Sequence, residues 1–212
     1  GADRHAGLAL VVLATASLPA TTQNPMSYPA IALASASPRR RELLAQLGVN
    51  YKLVKADIDE TVLPDEAAAV YVQRLALAKA HAGLTRLQHD LPVLGADTVV
   101  VVDGLILGKP ADFEQFRQTM LLLSGRSHQV MTAIALVSPQ RQLTQLVSTD
   151  VTFRVLTEAE ISAYWATGEP QDKAGGYGIQ GLAGRFVKRI NGSYSAVVGL
   201  PLCETEQLLQ QW

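Results

Sequence analysis

The stretch VLGADTVVVVDGLIL, residues 93–107, is the clearest structural signal in this chain. Its first ten residues are rich in valine, and Asp103-Gly104 is a favoured two-residue turn, so the stretch predicts a β-hairpin that ends at Leu107. On both sides of it, from Ala30 onward, short apolar runs alternate with amphipathic helical segments. This alternation predicts an α/β fold in which helices cover a sheet.

Two strand-and-helix units are predicted before the hairpin. The first has a strand at Ile31–Ala34 and a helix that is N-capped by Ser37 and stops at Gly48. The second has a strand at Tyr51–Lys55 and a helix over residues 65–87. The apolar stripe predicted for this long helix comprises Val70, Leu75, Leu77 and Ala78.

After the hairpin, the pattern predicts a helix, two paired strands, a second helix and a glycine-rich segment. Thr157 and Glu160 form a capping box at the start of the second helix. Residues 168–192 contain seven glycines, which would let the backbone approach a ligand closely. The predicted bounds are Phe113–Leu123 for the first helix, Gln129–Val137 and Gln142–Val155 for the strands, and Gly168 for the end of the second helix.

The composition excludes several classes of partner. Lys and Arg total 18 against 19 Asp and Glu, so the net charge of −1 provides no long-range field to attract nucleic acid or an anionic membrane. The single cysteine, Cys203, rules out an intrachain disulfide, and no Cys/His spacing resembles a zinc site. We expect a cytoplasmic protein without a nucleic-acid or membrane partner.

The first 25 residues stand apart from this pattern. Residues 7–20 form an apolar run that resembles the core of a signal peptide but is too short to span a bilayer. Met26 comes shortly before the first strand pattern, and all candidate chemistry follows it. We interpret residues 1–25 as a disordered upstream or vector-derived tail and residues 26–212 as one domain.

The segment SASPRRR, residues 35–41, joins the first predicted strand to the first helix. It brings the hydroxyls of Ser35 and Ser37 and the three guanidinium groups of Arg39, Arg40 and Arg41 to a helix N-terminus, where free N–H groups favour anions. Cations at this end oppose the helix dipole unless something negative compensates them. The segment therefore indicates a phosphate site; the alternative is a solvated basic helix start.

Two acidic positions are candidates for holding a hard cation. The sequence DIDE, residues 57–60, ends with Glu60 in a short loop, where carboxylates either hold a cation or are simply solvated. Asp97 interrupts an otherwise apolar strand, which is costly unless the carboxylate is paired, hydrogen-bonded or metal-bound. We expect a functional role for Asp97; the alternative is a structural ion pair with a core-facing Lys or Arg.

Two glycine-containing motifs differ from the nucleotide-binding motifs that they resemble. GLILGKP, residues 104–110, is not a P-loop, although Lys109 lies just beyond the hairpin, within reach of a phosphate opposite Asp97. GYGIQG, residues 176–181, follows a helix and a polar turn rather than a strand, which excludes a dinucleotide-binding fold. The amide of Gln180 is a candidate for reading the edge of a base.

Five blocks of sequence occur together in a fixed order. They are LASASPRRRELLAQLG (33–48), DIDE (57–60), LGADTVVVVDGLILGKP (94–110), LSGRSHQVMTAIAL (123–136) and EPQDKAGGYGIQGLAGRFVKRINGSYSAVVGLPL (169–202). In this order they resemble the Maf family of nucleoside triphosphate pyrophosphatases. The resemblance implies an α/β fold related to inosine triphosphate pyrophosphatase, with a long mixed twisted sheet flanked by helices and a cleft between two lobes. It also implies hydrolysis of nucleotides to monophosphate and pyrophosphate with a divalent cation, and a homodimer.

The resemblance also assigns individual residues. Asp97 matches the family's proton acceptor. Arg40, Thr98 and Gln180 match positions linked to substrate choice in the branch that acts on dTTP and UTP rather than on 7-methyl-GTP. Further residues on motif positions are Ser35, Arg39, Glu60, Lys79, Lys109, Asp172 and Lys173.

These residues predict a mechanism. Glu60 and Asp97 would hold Mg²⁺ or Mn²⁺, and Asp97 would deprotonate a water that attacks the α-phosphorus. Lys109 would neutralise charge on the departing pyrophosphate, and a pocket too small for two rings would exclude purines. The residues expected to bind the nucleoside triphosphate are Ser35, Ser37, Arg39, Arg40, Lys79, Thr98, Lys173 and Gln180.

Two other functions stay open at this point. One is a nucleotide-binding regulator of cell division without significant turnover, which would have no need for a carboxylate at Asp97 because it would repel the triphosphate unless a metal bridged them. The other is a purine pyrophosphatase, which would share the fold and differ in its base contacts. Hydrolysis by the Asp97→Asn variant tests the first, and comparison of dITP with dTTP tests the second.

Overall fold

The computed structural model describes residues 24–212. The tail assigned to residues 1–25 therefore lies outside the described residues, apart from its last two. The described range contains seven strands and six α-helices, and its sheet confirms the predicted α/β fold. No helix within it combines the length and the apolar character that crossing a bilayer would require.

The strands and helices alternate over the first half of this range, and short 3₁₀ helices occupy much of residues 169–186. The strands are β1 (Ile31–Leu33), β2 (Tyr51–Leu53), β3 (Val93–Val102), β4 (Leu105–Leu107), β5 (Ser127–Val137), β6 (Gln142–Phe153) and β7 (Val187–Asn191). The helices are α1 (Pro38–Gln46), α2 (Ala68–Arg86), α3 (Phe113–Leu123), α4 (Glu158–Ala166), α5 (Tyr194–Val198) and α6 (Leu202–Gln211).

All seven strands belong to one mixed sheet. Its order is β2-β1-β3-β5-β6-β7, and β4 pairs with β3 outside this path. The pairs that β1 makes with β2 and β3 are parallel, whereas the other pairs are antiparallel. The predicted hairpin is confirmed: Asp103 and Gly104 both have positive φ, as a two-residue turn between β3 and β4 requires.

The central strand β3 has a gap along one of its two edges. Its first edge pairs with β5 from Val93 to Val101. Its second edge pairs with β1 only at Val93 and Leu94, and with β4 only from Val100 to Val102. Residues 95–99 therefore have no strand partner on the second edge, and the sheet is open there.

Local signals at helix ends are confirmed. The Ser37 hydroxyl accepts a hydrogen bond from the Arg40 backbone N–H at the start of α1, and Gly48 has a φ of 70° just after its end. The capping box of α4 forms between Thr157 and Glu160, with both reciprocal hydrogen bonds present. These contacts involve residues close in sequence, which is why the sequence alone predicts them.

The start and the buried face of α2 differ from the prediction. The helix begins at Ala68 rather than at residue 65, because Asp65 has a φ of 58°, outside the helical region. Val70, predicted to belong to the apolar stripe, is 57% exposed. The helix instead packs on the sheet through small and large residues that include Tyr71 and Leu75. Of the predicted stripe, only Leu75 is fully buried.

Successive residues of β3 point to opposite faces of the sheet. Val99 and Val101 pack with α2 on one face, whereas Ala96, Val100 and Val102 belong to the larger core on the other. Helix α2 lies very close to β3, because a Cβ atom at Gly95 would be only 2.4 Å from the Ala76 carbonyl oxygen. Asp97 and Thr98 are neighbours in this strand and so face in opposite directions.

Candidate active site

A cavity of about 1000 Å³ lies at the open edge of β3. Its wall includes the loop before α1, one face of α2, the middle of β3 and the glycine-rich segment. Arg41, the third arginine of the SASPRRR segment, does not line this cavity, whereas twelve other residues that sequence reasoning proposed for the site do. These residues are Ser35, Ser37, Arg39, Arg40, Glu60, Lys79, Asp97, Thr98, Lys109, Asp172, Lys173 and Gln180.

The two candidate catalytic carboxylates meet on one ammonium group. Lys79 Nζ is 2.8 Å from Asp97 Oδ1 and 3.0 Å from Glu60 Oε1. Asp97 is only 8% exposed, so its charge needs such a partner. An ion pair between Asp97 and a lysine was the structural alternative to a catalytic role for Asp97. This ion pair exists, and both of its residues line the cavity, so it does not exclude a role for Asp97 in the site.

Tyr71 supports this cluster and was missed by sequence reasoning. Its hydroxyl donates to the Glu60 backbone carbonyl oxygen at 2.6 Å, which ties the acidic loop to α2. Tyr71, Leu75 and Lys79 follow one another at intervals of four residues and all line the cavity. The four-residue interval in the sequence predicts that these three residues share one helix face. The predicted apolar stripe, which included Val70, pointed to a different face of α2.

The chemistry of this donor set fits a hard divalent cation completed by a substrate. Asp97 and Glu60 supply carboxylate oxygens close to one another, since a single ammonium group contacts both. Within residues 24–212, no group of three or more His, Cys, Asp or Glu side chains is placed to hold a metal ion. Mg²⁺ is commonly held by one or two carboxylates together with substrate phosphates, so two carboxylates are enough for such a site.

Arg40 is fixed by two hydrogen bonds on the other face of β3. Its Nε donates to the Gly199 carbonyl oxygen at 2.7 Å, and its Nη2 donates to Thr98 Oγ1 at 3.0 Å. Burial lowers the pKa of this guanidinium, and the charge of Asp97 opposes the change. An arginine pKa is high enough that the side chain stays charged. Arg40 therefore presents a positioned cation to the cavity.

Thr98 connects Arg40 to a residue that sequence reasoning did not single out. Thr98 Oγ1 is 2.8 Å from Thr132 Oγ1, and the Thr132 hydroxyl donates to the Ala196 carbonyl oxygen at 2.7 Å. Thr98 and Thr132 are directly opposite each other in the pairing of β3 with β5. The only signal for Thr132 in the sequence is a threonine in the otherwise apolar strand β5. Its pairing with Thr98 depends on the register between β3 and β5, which the sequence does not reveal.

The glycine-rich segment brings further polar groups to the cavity. Lys173 Nζ donates to the Glu169 carbonyl oxygen at 2.8 Å and pairs with Asp172 Oδ1 at 3.0 Å. Gly175 N donates to the Gly108 carbonyl oxygen at 3.2 Å, which fastens the segment beside Lys109. Gln180 is exposed at the cavity, as a residue that reads a ligand must be.

The loop before α1 carries the residues that the sequence predicts to bind an anion. The Ser35 hydroxyl accepts from the Ser37 backbone N–H at 3.1 Å, and the Ser37 hydroxyl is engaged as the cap of α1. Among the side chains of residues 24–212, Arg39 and Lys109 have no carboxylate within ion-pair distance. Their charges are therefore available to an anionic ligand.

Comparison with known proteins identifies the family. A family model described as "Maf-like protein" matches residues 30–212. The chain belongs to the Maf family. Maf relatives named dTTP/UTP pyrophosphatase include one from Pseudoalteromonas translucida, 58% identical over 85% of this chain and 96% of its own length. Another from Vibrio parahaemolyticus is 57% identical over 86% of this chain and 96% of its own length.

Two solved structures have some likeness to this Maf chain. A nucleoside-triphosphatase, dITP/XTP pyrophosphatase, from Mycobacterium abscessus has a TM-score of 0.39 and 20% identity, covering 59% of this chain and 73% of its own. A HAM1 protein from Coxiella burnetii has a TM-score of 0.42 and 22% identity, covering 58% of this chain and 72% of its own.

Proposed function

We propose that this Maf protein is a nucleoside triphosphate pyrophosphatase that hydrolyses dTTP and UTP to the monophosphate and pyrophosphate. The observation that carries the proposal is the contact of Asp97 and Glu60 with one lysine inside a cavity lined by cationic groups. The names of the Maf relatives, which are more than half identical over most of the chain, support the substrate.

The triphosphate would bind where the cationic side chains face the cavity. Arg39 and Lys109 have charges without carboxylate partners among the described residues, and the N-terminal end of α1 adds backbone N–H groups. Lys173 lines the same cavity, with its ammonium held by the Glu169 carbonyl oxygen and the Asp172 carboxylate. Together these groups offset the negative charge that increases on pyrophosphate as it departs.

Asp97 is the group that we assign to proton transfer. It would accept a proton from a water whose oxygen attacks the α-phosphorus, and the bond from that phosphorus to the oxygen bridging the α- and β-phosphates would break. Pyrophosphate would leave with the bonding electron pair, and no covalent intermediate would form. Lys79 would hold the Asp97 carboxylate in place until substrate arrives.

Glu60 and Asp97 are the residues that would hold Mg²⁺ or Mn²⁺. A bound divalent cation would supply charge neutralisation on the phosphate oxygens and would lower the pKa of a coordinated water. Tyr71 contributes by holding the backbone of Glu60, so the acidic loop is already next to Asp97 before any cation binds. The ammonium of Lys79 would then be free to turn toward the phosphates.

We also propose that the protein acts in the cytoplasm as a homodimer, as the family resemblance implies. An exposed, unpaired Cys203 fits a reducing compartment. Sedimentation at micromolar concentration measures the assembly, and a monomer would contradict that part of the proposal. Fractionation of the source cells measures the location, and recovery outside the cytoplasm would contradict the other part.

Release of pyrophosphate from dTTP, UTP, CTP, dITP, GTP and 7-methyl-GTP, with Mg²⁺ or Mn²⁺, tests the proposed reaction. We expect dTTP and UTP to be hydrolysed best, and Asp97→Asn to lower kcat by about 100-fold or more because proton transfer is lost. Asp103→Asn is the matched control, since Asp103 lies in the β3–β4 turn and pairs with Arg126 at 2.7 Å away from the cavity.

Three outcomes would contradict the proposal in different ways. Unchanged turnover in Asp97→Asn would remove the role of this carboxylate. A preference for dITP over dTTP would indicate a purine pyrophosphatase. Binding of nucleotides without turnover across the whole panel would favour the regulatory function instead.

A further inference from the structure

The hydrogen bonds that join Arg40 to Ala196 have only one possible proton order. The Ala196 carbonyl oxygen can only accept, so the Thr132 hydroxyl donates its single proton there. Thr132 must then accept from Thr98, which donates its own single proton across the 2.8 Å contact. Arg40 can only donate, which completes the order from Arg40 through Thr98 and Thr132 to the carbonyl oxygen.

This order restricts what Thr98 can do in the cavity. Its only proton is engaged with Thr132, and one lone pair accepts from Arg40. Thr98 therefore has no proton to donate to a ligand and retains only the capacity to accept. Arg40, whose remaining N–H groups can only donate, lies 3.0 Å from it. The pair combines a donor and an acceptor whose roles cannot be exchanged.

We infer that Thr132 is a positioning residue that makes Arg40 and Thr98 selective for the imide edge of thymine and uracil. This inference rests on the proposed function. An imide has a carbonyl oxygen beside a ring N–H, which matches a donor beside an acceptor. Cytosine has an amino group and a bare ring nitrogen at these two positions, which is the opposite pattern. Thr132 is completely buried, so it acts on the nucleotide only through Thr98.

Loss of the Thr132 hydroxyl would free the proton of Thr98. In Thr132→Val the side chain keeps nearly the same shape but cannot accept a hydrogen bond. The Thr98 hydroxyl could then rotate and donate to the ring nitrogen of cytosine. Discrimination between uracil and cytosine would weaken, although Thr132 itself is in contact with neither base.

The ratio of kcat/KM for UTP to that for CTP tests the inference, because the two nucleotides differ only in the imide edge. We expect Thr132→Val to lower this ratio about fivefold, the effect of one hydrogen bond. Thr132→Ser keeps the hydroxyl and should leave the ratio within about twofold of wild type. The matched control is Thr149→Val: Thr149 is also completely buried, and its hydroxyl accepts from the Ser193 N–H at 3.1 Å without contacting Thr98.

A reduced melting temperature with an unchanged UTP to CTP ratio in Thr132→Val would overturn the inference, since that is the result of a purely structural role. An equal rise in KM for both nucleotides would overturn it as well. If Thr132→Val does not fold, Thr132→Ala removes the same hydroxyl without adding a methyl group beside Thr98, and it is measured in its place.

The affinities for UMP and CMP, measured by calorimetry without metal, test this inference independently of the proposed hydrolysis. We expect wild type to bind UMP more tightly than CMP and Thr132→Val to bind the two more equally. Absence of hydrolysis by wild type would contradict the proposed function, whereas the monophosphates would still report on base selection. Equal discrimination by wild type and Thr132→Val would overturn the role of Thr132 alone.

Discussion

At the scale of single residues, His128 is the most strongly perturbed histidine among the described residues. It is completely buried on β5, and its Nε2 shares a hydrogen bond with the Tyr177 hydroxyl at 2.5 Å. Burial lowers the pKa of His128 to about 4, and the charge of Arg126 adds to the effect. The imidazole therefore stays neutral in the folded protein at every pH above about 4.

We predict that His128 makes the protein sensitive to mild acid. Between pH 6.5 and pH 4, the unfolded chain binds a proton at this position that the folded protein does not, so the free energy of unfolding falls as the pH is lowered. The loss amounts to about 3 kcal/mol across this window. Urea unfolding from pH 7 to pH 4 should show a shallower decline in His128→Gln than in wild type.

Exposed His89 provides the control for this experiment. His89→Gln should keep the decline of wild type, because His89 is exposed and lacks the burial that acts on His128. Parallel curves for wild type and His128→Gln would show that acidic groups, and not His128, dominate the decline.

At the scale of elements, the site depends on how closely α2 lies against β3. Gly95 permits this approach, because a Cβ atom there would be 2.4 Å from the Ala76 carbonyl oxygen and 2.6 Å from the Ala80 backbone nitrogen. Lys79 lies between Ala76 and Ala80 on α2. The packing of one helix thus sets the distance between Lys79 and Asp97.

We predict that Gly95→Ala moves α2 outward and weakens the contact between Lys79 and Asp97. The added methyl group meets backbone atoms, which have little freedom to adjust, so the free energy of unfolding should fall by roughly 1–3 kcal/mol. Turnover should fall together with stability, as measured by urea unfolding and by pyrophosphate release from dTTP. Unchanged kcat in a destabilised Gly95→Ala protein would contradict the proposed link.

Gly83→Ala is the matched control on the same helix. A Cβ atom at Gly83 would lie 2.9 Å from the side chains of Ala34 and Val54 rather than against backbone atoms. We therefore expect a stability loss in this variant without a comparable loss of kcat. A matching loss in both variants would indicate that any strain in α2 disturbs the site.

The elements also show what sequence reasoning can and cannot reach. Ser37, Gly48 and the pair of Thr157 and Glu160 mark helix ends through contacts only a few residues apart, so the sequence predicts them. Apolar character alone predicts Val70 on the buried face of α2, whereas this residue is exposed. Small residues of α2 instead lie against the sheet, since they allow the close approach at Gly95.

At the scale of the whole molecule, the proposed cation would act after folding is complete. The core surrounds the sheet, and Lys79 contacts both Glu60 and Asp97 and offsets part of their negative charge. Removal of divalent cations with EDTA should therefore stop hydrolysis while the melting temperature changes by less than about 2 °C, or less than about 1 kcal/mol. A much larger fall would indicate a structural metal, as in proteins whose metal drives folding.

The residues of the site were easier to predict than their arrangement. Sequence reasoning named twelve of the side chains that line the cavity, eleven of them because they occupy motif positions of a known family. The gap in β3 was not predicted, because it arises where β1 and β4 pair with different ends of the same strand edge. Thr132 was missed for a similar reason, since its role depends on a strand register that only the folded chain provides, whereas Tyr71 was missed because the predicted apolar stripe of α2 was wrong.

Because Asp97 and Thr98 face opposite sides of one strand, the residues proposed for hydrolysis and those proposed for recognition of the base form two separate groups. Lys79 and Glu60 surround one residue, whereas Arg40 and Thr132 surround the other. During evolution, substitutions around Thr98 can change the base preference while the residues around Asp97 stay the same. The one peptide bond between Asp97 and Thr98 keeps the two groups of residues on opposite faces, so the base preference can change while the hydrolytic reaction stays the same.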